Sequence, residues 1–203
     1  MARRGEHSRE EIRDMAMGAA EQIILEQGHG RLTARKVASE IGYTVGTLYL
    51  VFENLDDLIM HVNARTLDRL YQVMTNDQIK NLTDKERLIR LSQICIRFAY
   101  DDPHRWALIF EHRLPEDKPT PEWYSVNFMR IFTVVEETLK ALAPNQLESE
   151  ISQAARALWA GVHGICILGV TQKLGDVGED SVQDLARLLM VNYLSGFAST
   201  GRT

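Results

Sequence analysis

The stretch from residue 32 to residue 59, LTARKVASEIGYTVGTLYLVFENLDDLI, constrains the fold more than any other part of the chain. It contains Thr33, Thr44 and Asn54, three side chains of the type that caps helix N-termini, and Gly42 lies between the first two. Glycine ends a helix easily because it adopts the left-handed backbone conformation without steric cost. The stretch therefore predicts two short helices joined by a tight turn, with a third, longer helix after them.

Helical spacing of apolar residues continues through the rest of the chain. Ser8 and Glu11 predict a capping box for a first helix that stops at Gly28. No segment alternates with period two, so the sequence predicts an all-α fold of about nine helices. The proline-rich residues 113–122 are predicted to form a loop. The helices expected beyond the opening stretch cover residues 55–74, 85–100, 103–112, 121–142, 146–171 and 179–197.

Cysteine usage and hydropathy indicate the class of protein. Cys95 and Cys166 are the only cysteines and have no spacing typical of a disulfide framework or a zinc site, so we expect neither metal nor cofactor. The charged residues 1–11 lack the apolar core of a signal peptide. The longest uncharged run, residues 157–172, is shorter than the roughly 18 residues that a membrane-spanning helix needs. These features favour a cytoplasmic protein.

The formal net charge of −5 argues against general attraction to nucleic acid, because phosphate binding depends on cationic side chains. Any DNA site must therefore be local. Two short regions have a small excess of basic residues, and they contain Arg31, Arg35 and Lys36 in one case and Arg3, Arg4 and Arg9 in the other.

Two short helices joined by a tight turn are typical of a helix-turn-helix motif, in which the second helix enters the major groove of DNA. Gly46 lets the backbone of that helix approach DNA closely, whereas in a purely structural helix it would cost about 1 kcal/mol relative to alanine. The caps Thr33 and Thr44 are suited to hold a phosphate oxygen. Val45 and Leu50 are both candidates for neighbours of the core. Val45 has a second interpretation, as a contact to a thymine methyl group.

These residues resemble the DNA-binding signature of TetR-family transcriptional regulators over about residues 8–60. The shared pattern is a threonine, an aliphatic residue with alanine, a glycine, then Gly-Thr-Leu-Tyr, a phenylalanine and a leucine that opens the fourth helix. The resemblance implies an all-helical homodimer with a DNA-binding head, residues 1–54, and an effector-binding and dimerisation body, residues 55–203. A helix from residue 55 to about residue 76 would link the two.

The resemblance also implies a function and assigns residues to it. The chain would be a ligand-responsive regulator, most often a repressor in this family, that binds double-stranded operator DNA and is released by a small molecule. The resemblance places Arg35 on the DNA-facing surface, and Arg35 and its neighbour Lys36 are both candidate DNA contacts, of which at least one is expected to bind. The other positions that the resemblance assigns to the DNA-facing surface are Thr33, Thr44, Val45, Gly46, Thr47 and Tyr49, and those it assigns to the core are Val37, Ala38, Ile41, Leu48 and Phe52.

Two positions depart from the family pattern. Val51 stands where the family often has a histidine, and Leu55 stands where it often has a lysine. Both departures remove possible contacts to phosphate, and we hypothesise that the arginines of residues 1–9 compensate. The departures also leave open a constitutive DNA-binding protein, or an interaction module whose head no longer binds DNA.

The C-terminal part contains Trp159, His163 and Gly164 in a pattern that resembles the Trp-His-Gly type of TetR-family C-terminal domain. His163 is either a core histidine or a ligand contact. The last helix is apolar around most of its circumference, and small residues lie along one face of the helix before it. We therefore expect the last two helices to form a two-fold dimer interface, with burial inside one subunit as the alternative. Dimerisation would place two recognition helices about 34 Å apart on a near-palindromic operator.

Aromatic residues concentrate in the middle of the chain, where most are expected in the core and some around an apolar cavity. No buried cationic partner is evident for an anionic ligand, so a neutral apolar effector is expected. The candidate ligand-binding residues are Trp106, Phe110, Trp123, Phe128, Trp159 and His163.

An enzyme built on a helical body is the alternative from another class. His163 and Cys166 are the only base and nucleophile at suggestive spacing, and no acid on the same helix would orient the histidine. The sequence therefore favours a protein that is not an enzyme.

Overall fold

The computed structural model of the chain describes residues 7–175 and 177–200, without the side chains of the last three. All regular structure within these residues is helical, which confirms the predicted all-α class. A 3-10 turn, His29–Arg31, follows the first helix. The helices are α1 (Arg9–Gln27), α2 (Ala34–Glu40), α3 (Val45–Leu48), α4 (Leu55–Met74), α5 (Asp77–Lys80), α6 (Asp84–Asp101), α7 (Pro103–Glu111), α8 (Glu122–Leu142), α9 (Glu148–Val170) and α10 (Glu179–Thr200).

The predicted caps of the first helices are confirmed. The backbone N–H of Glu11 donates to the Ser8 hydroxyl at 3.2 Å, and the backbone N–H of Ser8 donates to the Glu11 carboxylate at 2.6 Å. Gly28 and Gly42 have φ angles of 77° and 73°, in the left-handed region that favours glycine. The Asn54 side chain accepts from the backbone N–H of the third residue of α4 at 2.9 Å. Local sequence therefore determines where these helices begin and end.

The described residues form ten α-helices against the predicted number of about nine, and the additional one is the short helix α5, which the sequence did not predict. Ile79 anchors this single turn with only 3% of its surface exposed. Four residues are too few to show a helical period, so burial of one side chain decides the conformation. The next helix, α6, begins at Asp84, one residue earlier than predicted, because Thr83 and Glu86 form a capping box. The proline-rich segment is a loop as predicted, and α8 begins at Glu122.

The chain divides into two compact units, each assembled from two separate segments. The first unit contains the residues up to Thr66 together with His104–Ser125. The second contains Leu67–Pro103 and the residues from Val126 onward. The functional boundary at residue 54 stays a prediction, because compactness and function are different criteria.

The core of the first unit lies between α1, α4 and the two short helices. Val37 is fully buried, and Leu48 and Phe52 are 1% and 2% exposed, as the resemblance implied. Leu108 of α7 belongs to the same core and is 2% exposed. Burying a leucine or phenylalanine contributes about 1.5–3 kcal/mol, so α7 is an integral part of this unit.

In the second unit α9 and α10 pack closely at two glycines. A Cβ atom on Gly161 would lie 2.6 Å from Leu189, and one on Gly169 would lie 2.6 Å from Val182. Both distances are shorter than van der Waals contact allows. The close approach predicted for the small residues of this helix is therefore confirmed at Gly161, and the neighbour is α10 of the same chain. A Cβ on Gly164 would meet no atom within 4 Å.

Candidate nucleic-acid interface and apolar cavity

Helix α3 has a buried side and an exposed side. Leu48 of α3 and Phe52, four residues further on, face the core, whereas Gly46 of α3 is open to solvent and Tyr49, which follows the helix directly, is 45% exposed. A Cβ on Gly46 would meet only the Thr44 hydroxyl, at 3.7 Å. Within the described residues, packing therefore does not require glycine at this position.

The threonine caps hold the two short helices in shape. The Thr44 hydroxyl accepts from the backbone N–H of Thr47 at 3.1 Å and lies 3.0 Å from the Thr47 hydroxyl. The Thr33 hydroxyl accepts from the backbone N–H of Lys36 at 3.2 Å. Both caps are exposed, so each lies at a helix N-terminus whose partial positive charge faces outward.

The predicted basic residues lie on the surface of the same unit. Arg31 and Arg35 are exposed, and the Lys36 ammonium donates to the Gln27 side chain at 2.8 Å. Val45, half-buried, opens α3. Arg9 is the exposed first residue of α1, whereas Arg3 and Arg4 lie outside the described residues.

Leu50 is 62% exposed, which rules out its interpretation as a core neighbour. It lies next to Tyr49 and extends the exposed side of α3 with an apolar surface. Helical spacing did not reveal this, because α3 ends at Leu48 and the chain turns there.

Val51 and Leu55, the two departures from the family pattern, are half-buried against the core of the first unit. Their side chains contribute apolar packing at the junction between α3 and α4. The apolar side chains at these two positions therefore help to attach the segment that follows α3 to the core.

Arg13 is the centre of a cluster that sequence reasoning missed. Its guanidinium donates to the Val51 carbonyl at 3.0 Å, bonds to Nε2 of His61 and lies 4.9 Å from the centre of the Phe52 ring. The His61 ring stacks on Trp123 with 4.3 Å between ring centres. We call Arg13, Val51, Phe52, His61 and Trp123 the Arg13 cluster. No local signal could reveal it, since Arg13 is 38 and 48 residues from its two bonding partners.

Burial lowers the pKa of His61 below its ordinary value of 6.5, and the Arg13 guanidinium lowers it further. Asp57, whose carboxylate lies 3.3 Å from Nε2, opposes the shift. The imidazole is therefore neutral at neutral pH, and its Nε2 accepts a hydrogen bond from Arg13.

We expect the free energy of unfolding to fall more steeply with acidification in the wild type than in a His61→Gln variant. The pKa of His61 is lower in the folded protein than in the unfolded chain, where it is about 6.5. The stabilisation by the neutral imidazole is therefore complete above about pH 6.5, and it is lost as the pH falls from there through the pKa of the folded state. Urea unfolding of both proteins at about pH 7.5 and about pH 5.5 measures the difference. An equal pH dependence in the two proteins would contradict the assignment.

The second unit contains a small apolar cavity of about 30 Å³. A cavity of this volume holds about two water molecules. Ser92 is the one residue of its lining with a hydroxyl, and Trp159 is the one candidate ligand-binding residue there. The lining consists of Met74, Leu88, Leu91, Ser92, Cys95, Val135, Leu158, Trp159, Val162 and Met190.

The six candidate ligand-binding residues fall in both units. In the first unit Trp106, 1% exposed, lies 5.1 Å from Phe110 between ring centres, and Trp123 stacks on His61 as described. In the second, Trp159 stacks on His163 at 6.1 Å and lies 6.2 Å from Phe128. Burial lowers the pKa of His163.

Burial also affects the two cysteines, raising the pKa of both Cys95 and Cys166 to about 12. Cys166 therefore stays a thiol at neutral pH, which weakens the case for a nucleophile beside His163. Across residues 7–175 and 177–200 no three His, Cys, Asp or Glu side chains come together as a metal site. No helix in the described part of the chain is long and apolar enough to span a bilayer.

Two family models match the chain. Residues 17–62 match the bacterial regulatory proteins of the tetR family, and residues 88–193 match the tetracyclin repressor-like C-terminal domain. The fatty acid metabolism regulator protein of Bacillus subtilis (strain 168) is 30% identical over 70 residues, which are 34% of this chain and 36% of that protein. The match thus spans about a third of the relative's length.

Solved structures resemble nearly the full length of the chain. A protein with unknown function from Rhodococcus sp. RHA1 has a TM-score of 0.76 at 17% identity, covering 97% of this chain and 99% of its own. A TetR variant from Acinetobacter baumannii AYE, in complex with minocycline, has a TM-score of 0.67 at 16% identity, covering 94% of this chain and 98% of its own. At such identities the likeness shows the fold.

Proposed function

The chain belongs to the tetR family of bacterial regulatory proteins, and on that basis we propose that it is a transcriptional regulator that binds operator DNA and responds to a small apolar molecule. The head, residues 1–54, would bind DNA, and the body, residues 55–203, would bind the effector and form the dimer. The observation that carries the proposal is the two-sided helix α3. Its exposed side carries Gly46, whose Cβ position meets only the Thr44 hydroxyl among the described residues, whereas its buried side packs against α1 and α2.

The exposed side of α3 is suited to direct reading of the major groove. Gly46 permits close approach of the backbone, while Tyr49 and Thr47 offer hydroxyl groups. The exposed leucine at position 50 and the half-buried Val45 supply apolar surface of the kind that contacts a thymine methyl group. The caps Thr33 and Thr44 would hold phosphates on either side.

Affinity for the phosphate backbone must come from a few cations, because the chain as a whole is acidic. Arg35 and Lys36 are the proposed contacts from α2. The N-terminal arm is a further source, since His7 Nδ1 and the Tyr43 hydroxyl are 2.8 Å apart just before α3 begins. This bond supports an arm that starts beside the recognition helix.

The proposed effector is apolar because the lining of the cavity is apolar. The name of the Bacillus subtilis relative, a regulator of fatty acid metabolism, supports acyl chains as the first class to test. The cavity of about 30 Å³ is too small for such a molecule, so binding requires that the surrounding helices move apart. A ligand that favours the widened state 100-fold supplies about 2.7 kcal/mol for this change.

The proposed dimer uses α9 and α10. Leu168, Leu185 and Leu188 on these helices are 43%, 39% and 61% exposed in the single chain. Large apolar side chains at such exposure are typical of a surface that another subunit covers. A two-fold dimer would present two copies of α3 about one DNA turn apart, to a near-palindromic operator.

Fluorescence anisotropy with a labelled DNA fragment from upstream of the chain's own gene tests the proposal. We expect specific binding that weakens between about 50 mM and 200 mM salt, and release on adding methyl oleate, a neutral acyl ester, as the first probe. The same assay on a chain without residues 1–7 measures the contribution of the arm, whose loss should lower both the affinity and the salt slope.

Each other outcome has a distinct meaning. Binding that no apolar compound alters would indicate a constitutive DNA-binding protein. A wild-type chain that binds no upstream fragment would contradict the proposal and favour an interaction module, in line with Val51 and Leu55.

A further inference from the structure

Met74, the last residue of α4, borders two separate spaces in the second unit. One is the apolar cavity of about 30 Å³. The other is a pocket of about 200 Å³ lined by residues of α4, α5, α6 and α8, which we call the α5 pocket. Val134 lines the α5 pocket and Val135 lines the cavity, so consecutive residues of α8 border the two spaces. The wall between them is therefore thin, and Met74 belongs to both sides of it.

The α5 pocket reaches the surface, whereas Met74 does not. Asn76 and Lys80 in the lining of this pocket are exposed. Met74 is only 1% exposed. The α5 pocket therefore leads from solvent to Met74, and the apolar cavity lies on the other side of this side chain.

Methionine is well suited to a movable partition. Its side chain is unbranched and has three rotatable bonds, so it changes conformation more readily than a β-branched one. The proposed effector needs the cavity to widen, and displacement of Met74 joins the cavity to a space several times larger that already exists. Widening at Met74 therefore adds more room than an equal shift elsewhere in the lining.

The α5 pocket also has polar groups that the cavity lacks. Arg87 Nε donates to the Ile79 carbonyl at 3.5 Å, and its terminal nitrogens have no partner among the described residues. Glu137, half-buried, forms no ion pair within the described part of the chain. The Lys80 ammonium is already paired with Asp77 at 2.7 Å. A donor and an acceptor thus remain available in the lining, with no excess of either charge.

We propose that Met74 is the gate between the two compartments of one effector site, and that the effector is a linear apolar chain with an uncharged end that both accepts and donates hydrogen bonds. A primary amide is such an end, since its oxygen accepts and its nitrogen donates. The inference rests on the proposed function, because it takes the cavity as part of the effector site. The chain passes Met74 into the cavity, while the amide stays in the α5 pocket, accepts from Arg87 and donates to Glu137.

Stopped-flow tryptophan fluorescence of the whole chain with ω-bromoundecanamide, without DNA, tests the gate. Bromine quenches an indole only at short range and Trp159 lines the cavity, so quenching reports the arrival of the apolar end of the chain. A Trp159→Phe variant should lose this quenching. Met190→Ala is the matched control for Met74→Ala, because Met190 is 3% exposed and lines the cavity but not the α5 pocket.

We expect Met74→Ala to raise the rate of quenching about threefold to tenfold, because a buried side chain no longer has to leave its preferred rotamer. Met190→Ala also enlarges the cavity and should keep the wild-type rate. Equal rates in Met74→Ala and Met190→Ala would overturn the gate and indicate entry by another route, beside Trp159.

The polar end of the effector is tested with Glu137→Met and with methyl ω-bromoundecanoate as the second ligand. Glu137→Met should weaken binding of the amide about tenfold, through loss of a hydrogen bond to a charged group. It should leave binding of the ester unchanged, since the ester has no N–H to donate. Equal effects on the two ligands would overturn the assignment of the polar end. Glu137 is half-buried, so this comparison does not depend on the folding of the methionine variants.

The quenching measurement separates this inference from the proposed function, because it needs no operator. Absence of quenching by the amide in the wild type would contradict the two-compartment site. Failure of the wild type to bind DNA would contradict the proposed function instead.

Discussion

Replacing Gly46 with leucine is expected to lower operator affinity by at least about tenfold while leaving the protein folded. The Cβ would meet only the Thr44 hydroxyl, at 3.7 Å, and leucine favours a helix by roughly 0.5–1 kcal/mol over glycine. The added side chain instead occupies the space through which the backbone of α3 would approach the major groove. Loss of one close contact to a base costs about 1–3 kcal/mol, and 1.4 kcal/mol corresponds to a factor of ten.

The measurement compares operator affinity with urea unfolding for the same variant. Gly18→Leu is the matched control, because Gly18 is also an exposed helical glycine whose Cβ would meet no atom within 4 Å. It should fold equally well and retain wild-type affinity. If the Gly46→Leu variant bound the operator as tightly as the wild type, the assignment of α3 as the helix that enters the major groove would be wrong.

Replacing Trp106 with alanine is expected to reduce the free energy of unfolding by about 3–5 kcal/mol. Trp106 is 1% exposed and is the largest of the fully buried side chains. Its removal leaves a void that the surrounding helices cannot fill completely. The same residue was a candidate ligand contact from sequence, and the two interpretations predict different results for this variant.

Trp123→Ala is the control within the same unit, since this tryptophan is 38% exposed. Trp123→Ala should lower the free energy of unfolding, measured with urea, by well under half of the decrease in Trp106→Ala. If Trp106→Ala were nearly neutral for stability and changed the response to an apolar compound instead, Trp106 would be a ligand contact rather than part of the core.

The head was largely predictable because its signals are local. A cap and the amide it accepts from are three residues apart, as for Ser8 with Glu11 and Thr44 with Thr47. The buried positions Leu48 and Phe52 also lie one helical turn apart. Such signals need no knowledge of the rest of the chain.

The short helix α5 and the exposure of Leu50 were not predictable in this way. In α5 the burial of Ile79 decides the conformation, and burial depends on residues far along the sequence. Leu50 lies beyond the end of α3, so the helical spacing of apolar residues no longer indicates whether its side chain faces the core.

The candidate ligand-binding residues illustrate a further limit. They were chosen as aromatic residues within one region of the sequence, yet Trp106 and Trp123 belong to one compact unit and Trp159 to the other. Sequence proximity does not determine which unit a helix joins, because α7 leaves its neighbours in sequence to pack against the core that contains Leu48.

The sequence by itself determined the all-helical class, the helix-turn-helix motif and the family, because caps, helical spacing and signature residues are properties of neighbouring positions. Only the tertiary structure decided that α7 belongs to the first unit and that Arg13 bonds to the Val51 carbonyl in the connection between α3 and α4. It also decided that the cavity is small and apolar. These features arise when helices separated by tens of residues bury their side chains against one another, and no local pattern specifies which helices meet.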